Sequence, residues 1–343
     1  MPAAVISACI DRLLAGEDIG REGAAEALEA IMSGEAGDAQ TAGFLVALRA
    51  KGESADEIAG LASVVRAHAQ PVAGPDGPFL DTCGTGGGRS SFNVSTTAAF
   101  VVAGAGVAVA KHGNRSATSK CGSADVLEAL GARIELSPDA VGRCLEDVGI
   151  GFMFAPAHHP AFRHIVPVRR ALAVRTVFNL IGPLANPAGA PRQLLGVADP
   201  DYLRRLAEAL AALGTERALI VRGRDGLDEL STGAVNDVIG VSPEGLRASV
   251  IDPAELGFSP PADGHIAGGD PAENARITRA VLDGVPGPAR DLVVLNAAAA
   301  LWLAGRVDDI HAGVRLAEDS IDEGSARERL EAFVGTTQAL AGA

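Results

Sequence analysis

The stretch DTCGTGGGRSSFNVSTTAAF, from Asp81 to Phe100, sets three consecutive glycines between an apolar strand pattern and an apolar helix pattern. Bare backbone at such a junction lets amide N–H groups approach a phosphate closely, and the helix N-terminus adds positive potential. Asn93, Ser95 and Thr96 stand where that helix begins and offer polar side chains to the same ligand; Ser95 or Thr96 would equally serve as a helix cap. The loop is not a Walker A motif, because no Gly-Lys-Ser/Thr follows, and Arg89 stands where the dinucleotide fingerprint has its last glycine. Read alone, a tight turn explains it as well as a ligand loop does. The pairing with a second loop decides. From Lys111 to Gly131 the chain reads KHGNRSATSKCGSADVLEALG, again between strand and helix, with the cations Lys111, Arg115 and Lys120 and the hydroxyls Ser116, Thr118, Ser119 and Ser123. If their strands are neighbours, both loops open at the carboxyl edge of one sheet, where such ligands bind. The pair points to a diphosphate site.

Two further motifs carry side-chain chemistry. In GRDGLDELS the adjacent acids Asp228 and Glu229 follow the strand pattern ALIVRG. Carboxylates at a strand end hold Mg²⁺, which takes oxygen ligands and bridges to phosphate; an isolated pair of this kind would read as a polar turn. In FAPAHHPAFRHIVPVRR, His158, His159 and His164 invite a zinc reading, but no cysteine or acid completes a ligand spacing. Neutral histidines beside Phe154, Pro156 and Phe162 fit better as walls of an aromatic-acid pocket. Arg169 and Arg170 are then candidates to fork a carboxylate, unless they are surface charges on a helix.

These loops need a scaffold. Residues 1 to about 70 read as some four helices: Val5, Ile6, Cys9, Ile10, Leu13 and Leu14 share a helical face, and Ser54 with Glu57 forms a capping box that opens a helix ending before Pro71. VAGPDGP reads as a linker. Strands and helices then alternate: FLDTCG, VAVAK, QLLGVA, ALIVRG and VIGV as strands, NVSTTAAFVVAGAG and DPDYLRRLAEALAALG as helices, and SADVLEALGARI as a capped helix running into a further strand. That rhythm predicts an α/β fold with a central, mainly parallel sheet covered on both faces. The expected division is a small all-helical domain at 1–72, joined in space by about 160–185, and an α/β domain at 76–343. The basic segment PAFRHIVPVRRALAVRTVFNLIGPLANPAGAP is helical in pattern, and the C-terminal stretches ENARITRAVLDG, RDLVVLNAAAALWLAG and DDIHAGVRLAEDSIDEGSARERLEAFVG are helical too.

With 343 residues, 48% hydrophobic and a formal net charge of −14, the chain has matter for a large core and is a poor general binder of nucleic acid. An anionic ligand would need a local basic pocket. The start carries Asp11 inside its apolar run and no basic leader, which argues against a secretory signal, and the apolar run Ala98–Ala110 is too short to span a bilayer. Cys9, Cys83, Cys121 and Cys144 show no paired-ligand spacing, so a reduced cytoplasmic protein without membrane partners is expected.

GTGG…NVST, KHGNRSATSKCGSADVLEALG, FAPAHHPAFRH, VRTVFNLIGPLANPA and GLDELS occur in the order seen in the anthranilate phosphoribosyltransferases of tryptophan biosynthesis, and the chain resembles that family over almost its whole length. The resemblance implies transfer of the phosphoribosyl group of 5-phosphoribosyl 1-pyrophosphate (PRPP) to the amine of anthranilate, giving N-(5-phosphoribosyl)anthranilate and pyrophosphate. It implies one or two Mg²⁺ ions, a homodimer built through the small helical domain, and an α/β domain like that of the pyrimidine nucleoside phosphorylases. Carried onto these positions, it implies that PRPP meets Gly84, Thr85, Gly86, Gly87, Gly88, Arg89, Asn93, Val94, Ser95, Thr96, Lys111, Ser119, Lys120 and Ser123. Anthranilate would meet Gly84, His112, Asn114, His159, Arg169 and Gly182; Ser95, Asp228 and Glu229 would hold metal; Lys111, Asn114 and Arg169 would carry catalysis. The family usually has an aspartate where this chain has Gly88, in a stretch one residue longer, and Arg89 is expected to offset that loss by facing pyrophosphate. The competing readings are a pyrimidine nucleoside phosphorylase of the same fold and a non-catalytic relative that binds nucleic acid.

Overall fold

The computed structural model describes residues 2–116, 120–261 and 266–341. The chain opens with α1 (Pro2–Leu14), α2 (Gly20–Met32), α3 (Asp38–Lys51) and α4 (Ala55–Ala67). The expected box at α4 is formed: Ser54 Oγ accepts the Glu57 N–H and Glu57 Oε2 accepts the Ser54 N–H at 2.8 Å. The same buried carboxylate accepts from the Ile19 amide at 3.0 Å and from Lys51 Nζ at 2.8 Å, so one side chain ties the α1–α2 turn to the start of α4.

Then come β1 (Phe79–Gly84), α5 (Val94–Gly104), β2 (Ala108–Gly113), α6 (Ser123–Leu130), α7 (Pro138–Val148), β3 (Ile150–Phe154) and α8 (Ala155–His158). A 3₁₀ turn (Pro160–His164), α9 (Val166–Leu172), α10 (Phe178–Ile181) and a second 3₁₀ turn (Gly182–Leu184) follow. The chain continues with β4 (Arg192–Gly196), α11 (Pro200–Ala212), β5 (Arg217–Gly223), β6 (Asn236–Ser242), β7 (Gly245–Ile251), a 3₁₀ turn (Pro253–Leu256), α12 (Pro271–Leu282), α13 (Pro288–Leu303), α14 (Ile310–Asp322) and α15 (Ser325–Leu340).

Among the described residues the strands form one sheet in the order β3-β2-β1-β4-β5-β6-β7, parallel from β3 to β5 and antiparallel at β6 and β7. Chain order runs outward in opposite directions from β1, which makes the carboxyl end of β1 the switch point of the sheet. Successive residues alternate between two cores. Leu194, Leu219 and Val221 face the core around Phe100 of α5, Leu295 of α13 and Phe333 of α15. Leu195, Ala218, Ile220 and Ile239 face the other, which continues through Leu206 and Leu210 of α11 into Leu28, Phe44 and Leu61 of α1–α4. The segment after α8 joins this second core through Ala161, Ile165, Phe178, Ile181 and Leu184.

One expectation needs correction. No strand follows α6: Ala132, Ile134 and Leu136 are buried and Arg133 and Glu135 exposed, a period of two without a ladder partner. This stretch runs beside α15, where the Arg133 amide donates to Thr337 Oγ1 at 3.1 Å and the Gly131 carbonyl accepts from Gln338. The strand lies further on, after α7, which is capped by Ser137, started by Pro138 and stopped by left-handed Gly149. The long C-terminal helical pattern is helical as expected, in two helices parted at Gly324 with φ +83°.

Candidate active site

The loops after β1, β2 and β5 and the segment from α8 to the second 3₁₀ turn enclose a cavity of about 950 Å³. Among the described residues, the side chains and glycines expected from the family resemblance to meet substrate or metal all line it except Lys120. Lys120 is exposed and off the wall, and Ser119, like Thr118, lies outside the described residues. Arg170 is also exposed and off the wall, whereas Arg169 lines it. His158 and His164 do not reach the wall; His158 is wholly buried, and neither of its ring nitrogens has a hydrogen-bond partner.

At one end stands the glycine loop. Gly86 and Gly87 have φ of +67° and +84°, in the left-handed region. The loop is zipped to the loop after β5: the Gly86 amide donates to Asp228 Oδ2 at 2.8 Å, and the Arg89 amide donates to the Gly226 carbonyl at 2.8 Å. A Cβ at Gly88 would stand 2.5 Å from that carbonyl oxygen and 3.0 Å from Ala198 Cβ, so this loop has no room for the aspartate expected there. The Arg89 guanidinium, expected to face pyrophosphate, pairs instead with Asp225 at 3.2 Å. Asn93 precedes α5 and holds the second loop by donating to the Cys121 carbonyl at 3.2 Å. In that loop Ser123 Oγ donates to the Asn114 carbonyl at 3.3 Å.

Lys111 comes from β2 and is buried beneath the glycine loop, its Nζ donating to the Thr82 carbonyl and to Ser95 Oγ at 3.2 Å. Burial pushes its pKa down, and the Asp81 and Glu229 carboxylates oppose this. Asp81, which sequence reasoning passed over, is wholly buried in β1; burial raises its carboxyl to about 6 against the pull of Lys111. It accepts from the His112 amide at 3.3 Å and from Asn186 Nδ2 at 2.8 Å, and so fixes the entry to the second loop. Glu229 is buried as well, and Asp228 half-buried. Burial raises both pKa values, Glu229 to about 8, where Asp228 adds to the rise and Lys111 and Ser95 hold it back. Among the described residues there is no cluster of three or more His, Cys, Asp or Glu that could hold a metal ion. The donors here are two carboxylates and the Ser95 hydroxyl, an oxygen-only set of the kind Mg²⁺ takes, and a cation beside them would favour the ionised form that desolvation disfavours. The residues therefore fit the ion.

The other end is aromatic. His112 Nδ1 lies 3.2 Å from the Gly182 carbonyl, and its Nε2 lies 3.2 Å from His159 Nε2. Burial drives His112 down to about 3 and His159 to about 4, so both rings are neutral near pH 7. His159 stacks on Phe162, centroids 5.0 Å apart, and Phe162 meets Phe178 edge-on. The Arg169 guanidinium sits 5.3 Å from the centroid of Phe178, a flat cation over a ring with no acid paired to it among the described residues. The wall at Gly182 and Pro183 is fixed by three side chains from three elements: His112 at the Gly182 carbonyl, Gln193 Nε2 donating to Pro183 at 2.6 Å, and Arg66 Nε donating to Leu184 at 2.6 Å. Neither Gln193 nor Arg66 carries a local sequence signal, because β4 and α4 bring them in from distant stretches.

Glycine-rich and basic loops at a sheet switch point, beneath a helical bundle, define a class. The chain matches the sequence models of the glycosyl transferase family, for the helical bundle domain at residues 7–69 and for the a/b domain at 76–327. It is 54% identical, over 96% of each chain, to anthranilate phosphoribosyltransferase of Rubrobacter xylanophilus. Its fold superimposes on the crystal structure of anthranilate phosphoribosyltransferase from Thermus thermophilus with a TM-score of 0.90 at 45% identity, over 96% of this chain and 99% of that one. It superimposes equally, at 0.90 and 29% identity over 98% and 99%, on the Saccharomyces cerevisiae enzyme in complex with PRPP and Mg. The chain belongs to the anthranilate phosphoribosyltransferase family.

Proposed function

We infer that this chain transfers the phosphoribosyl group of PRPP to the amine of anthranilate, releasing pyrophosphate, a step of tryptophan biosynthesis. One observation carries the reading: a single cavity joins a glycine-loop end built for phosphate to an aromatic end with neutral histidines and an unpaired arginine. Anthranilate is an aromatic carboxylate whose amine is neutral at pH 7, so it needs little activation. Arg169 would fork its carboxylate, while Asn114, His112, His159 and the Gly182 wall, with Gly84 below, would set the ring so that the amine faces C1 of the ribose.

The difficulty lies in the leaving group. The amides of the glycine loop, the side chains of Asn93, Ser95, Thr96 and Ser123, and the Lys111 ammonium would grip PRPP and meet the charge that develops on pyrophosphate. Mg²⁺ bound at Asp228, Glu229 and Ser95 would neutralise part of that charge. No residue on the wall need act as a strong base. The two histidines are weak bases in this setting, and the N-ribosylated anilinium is a strong enough acid to give its proton to water or to His112 after attack.

Residues 1–72, joined by about 160–185, form the helical domain in this reading, and 76–343 the α/β domain. The two approach each other when substrates bind, which excludes water from the sugar. The exposed apolar side chains Leu14, Val46 and Val174 on the helical side support a homodimer through that domain. No helix among the described residues is long and apolar enough to cross a membrane, and a cytoplasmic setting is part of the proposal. The test is the loss of anthranilate fluorescence on adding PRPP and Mg²⁺. Absence of turnover, or phosphorolysis of uridine or thymidine in its place, would overturn the reading.

A further inference from the structure

Of the cations that sequence pattern offered for pyrophosphate, Lys111 stands on the wall of the cavity, but the other three are engaged or displaced: Arg89 is paired with Asp225, Arg115 with Asp125 and Glu128, and Lys120 is off the wall. Arg175 has no such partner. It lies between α9 and α10, two residues beyond Ala173, a non-glycine residue held at φ +52°. Its guanidinium reaches across the cavity and donates to the carbonyls of Thr85 at 3.2 Å and Gly86 at 3.0 Å. It fills the space over Gly87 so closely that a Cβ there would stand 1.8 Å from its nitrogen. Its own carbonyl accepts from Arg49 of α3. No acid lies within ion-pair distance of it among the described residues; Asp228 feels its charge from further off.

We propose that Arg175 is a pyrophosphate-binding residue of this site. A guanidinium carries five N–H donors, and two carbonyls engage only one of its nitrogens, so an anion on the glycine loop meets both charge and free donors. The same residue straps the segment that bears Arg169 and Phe178 to the glycine loop, with Arg49 holding the strap from the helical side. The inference rests on the function proposed above.

The test compares Arg175→Gln and Arg175→Lys with the wild type in steady-state turnover, and in calorimetric binding of inorganic pyrophosphate with Mg²⁺. Losing a charge-assisted contact should raise the KM for PRPP about ten-fold or more in the Gln variant and weaken pyrophosphate binding by a similar factor. The KM for anthranilate at saturating PRPP should change by less than about three-fold, because the uniform binding lost lies on the phosphate side. Lysine keeps the charge without the fork and should recover part of the loss. An unchanged KM for PRPP, or equal rises in both KM values, would overturn the proposal. If the Gln variant does not fold, the Lys variant carries the test, and wild-type pyrophosphate binding in it would overturn the proposal. A wild type that binds pyrophosphate but does not turn over refutes the proposed function, while the variants still judge Arg175.

Discussion

Restoring an aspartate at position 88 should harm this protein. The sequence resemblance presents Gly88 as a lost metal contact, which invites repair. The structure presents it as a residue with no space for a side chain. The Cβ of any other residue would stand 2.5 Å from the Gly226 carbonyl oxygen, 3.0 Å from Ala198 Cβ and 3.2 Å from the Asp228 amide nitrogen. Two of these three atoms are backbone, and the first is nearly an ångström inside ordinary contact. It is also the acceptor for the Arg89 amide, so moving it costs that hydrogen bond. Overpacking of this kind costs about 1–3 kcal/mol, and a backbone hydrogen bond about 1 kcal/mol net. A loss of about 2–4 kcal/mol lowers Tm by roughly 3–6 °C in a chain of this size.

Gly88→Ala separates crowding from charge. If space decides, the alanine and aspartate variants melt at similarly lowered temperatures. Both also raise the KM for PRPP, since the shifted loop carries Asp228, the acceptor for the Gly86 amide. Thermal melting followed by steady-state kinetics at saturating Mg²⁺ checks this. An aspartate variant with the wild-type Tm and a lower KM for PRPP would refute the argument, and would mean that the two loops part at little cost.

Other outcomes follow from the same geometry. Asp228→Asn with Glu229→Gln should abolish the Mg²⁺ response of turnover while the far-ultraviolet dichroism and melting stay near wild type, because the Gly86 amide keeps a carbonyl acceptor; a variant still activated by Mg²⁺ would remove the metal assignment. Gln193→Leu keeps the volume but leaves the Pro183 carbonyl without its donor, and should raise the KM for anthranilate about three- to ten-fold with that for PRPP unchanged; equal shifts in both would show that the turn does not align the aromatic end. The histidine pair also sets a pH dependence. Burial depresses His112 to about 3 and His159 to about 4 from an ordinary 6.5, so the stability they contribute is present above about pH 6.5 and is lost as pH falls through those values. Melting from pH 7 to 4.5 should therefore decline less steeply in His112→Asn/His159→Gln than in the wild type, and parallel slopes would contradict the burial argument.

What could be read from the sequence was what is local. Glycines that accept left-handed backbone, hydroxyls at a helix start and adjacent acids after a strand are written within a few residues of one another, and the cavity indeed brings those stretches together. What could not be read was whatever depends on strand order. β1 lies between β2 and β4, and only that arrangement brings Gln193 of β4 to Pro183, and Asn186 to Asp81 of β1. The strand expected after α6 and not formed has a related origin: burial against α15 gives Ala132, Ile134 and Leu136 the alternation of a strand without any ladder. Charge was misjudged for a related reason. A cation counts toward an anion site only after its acids have been counted, and the acids that hold Arg89 and Arg115 come from other loops and helices. Arg175 stands within VRTVFN in a helical, basic pattern, yet the left-handed Ala173 breaks that helix and turns the chain toward the glycine loop. Proximity of loops could thus be anticipated from pattern, but which positive charge remained free for the substrate could be known only from the fold.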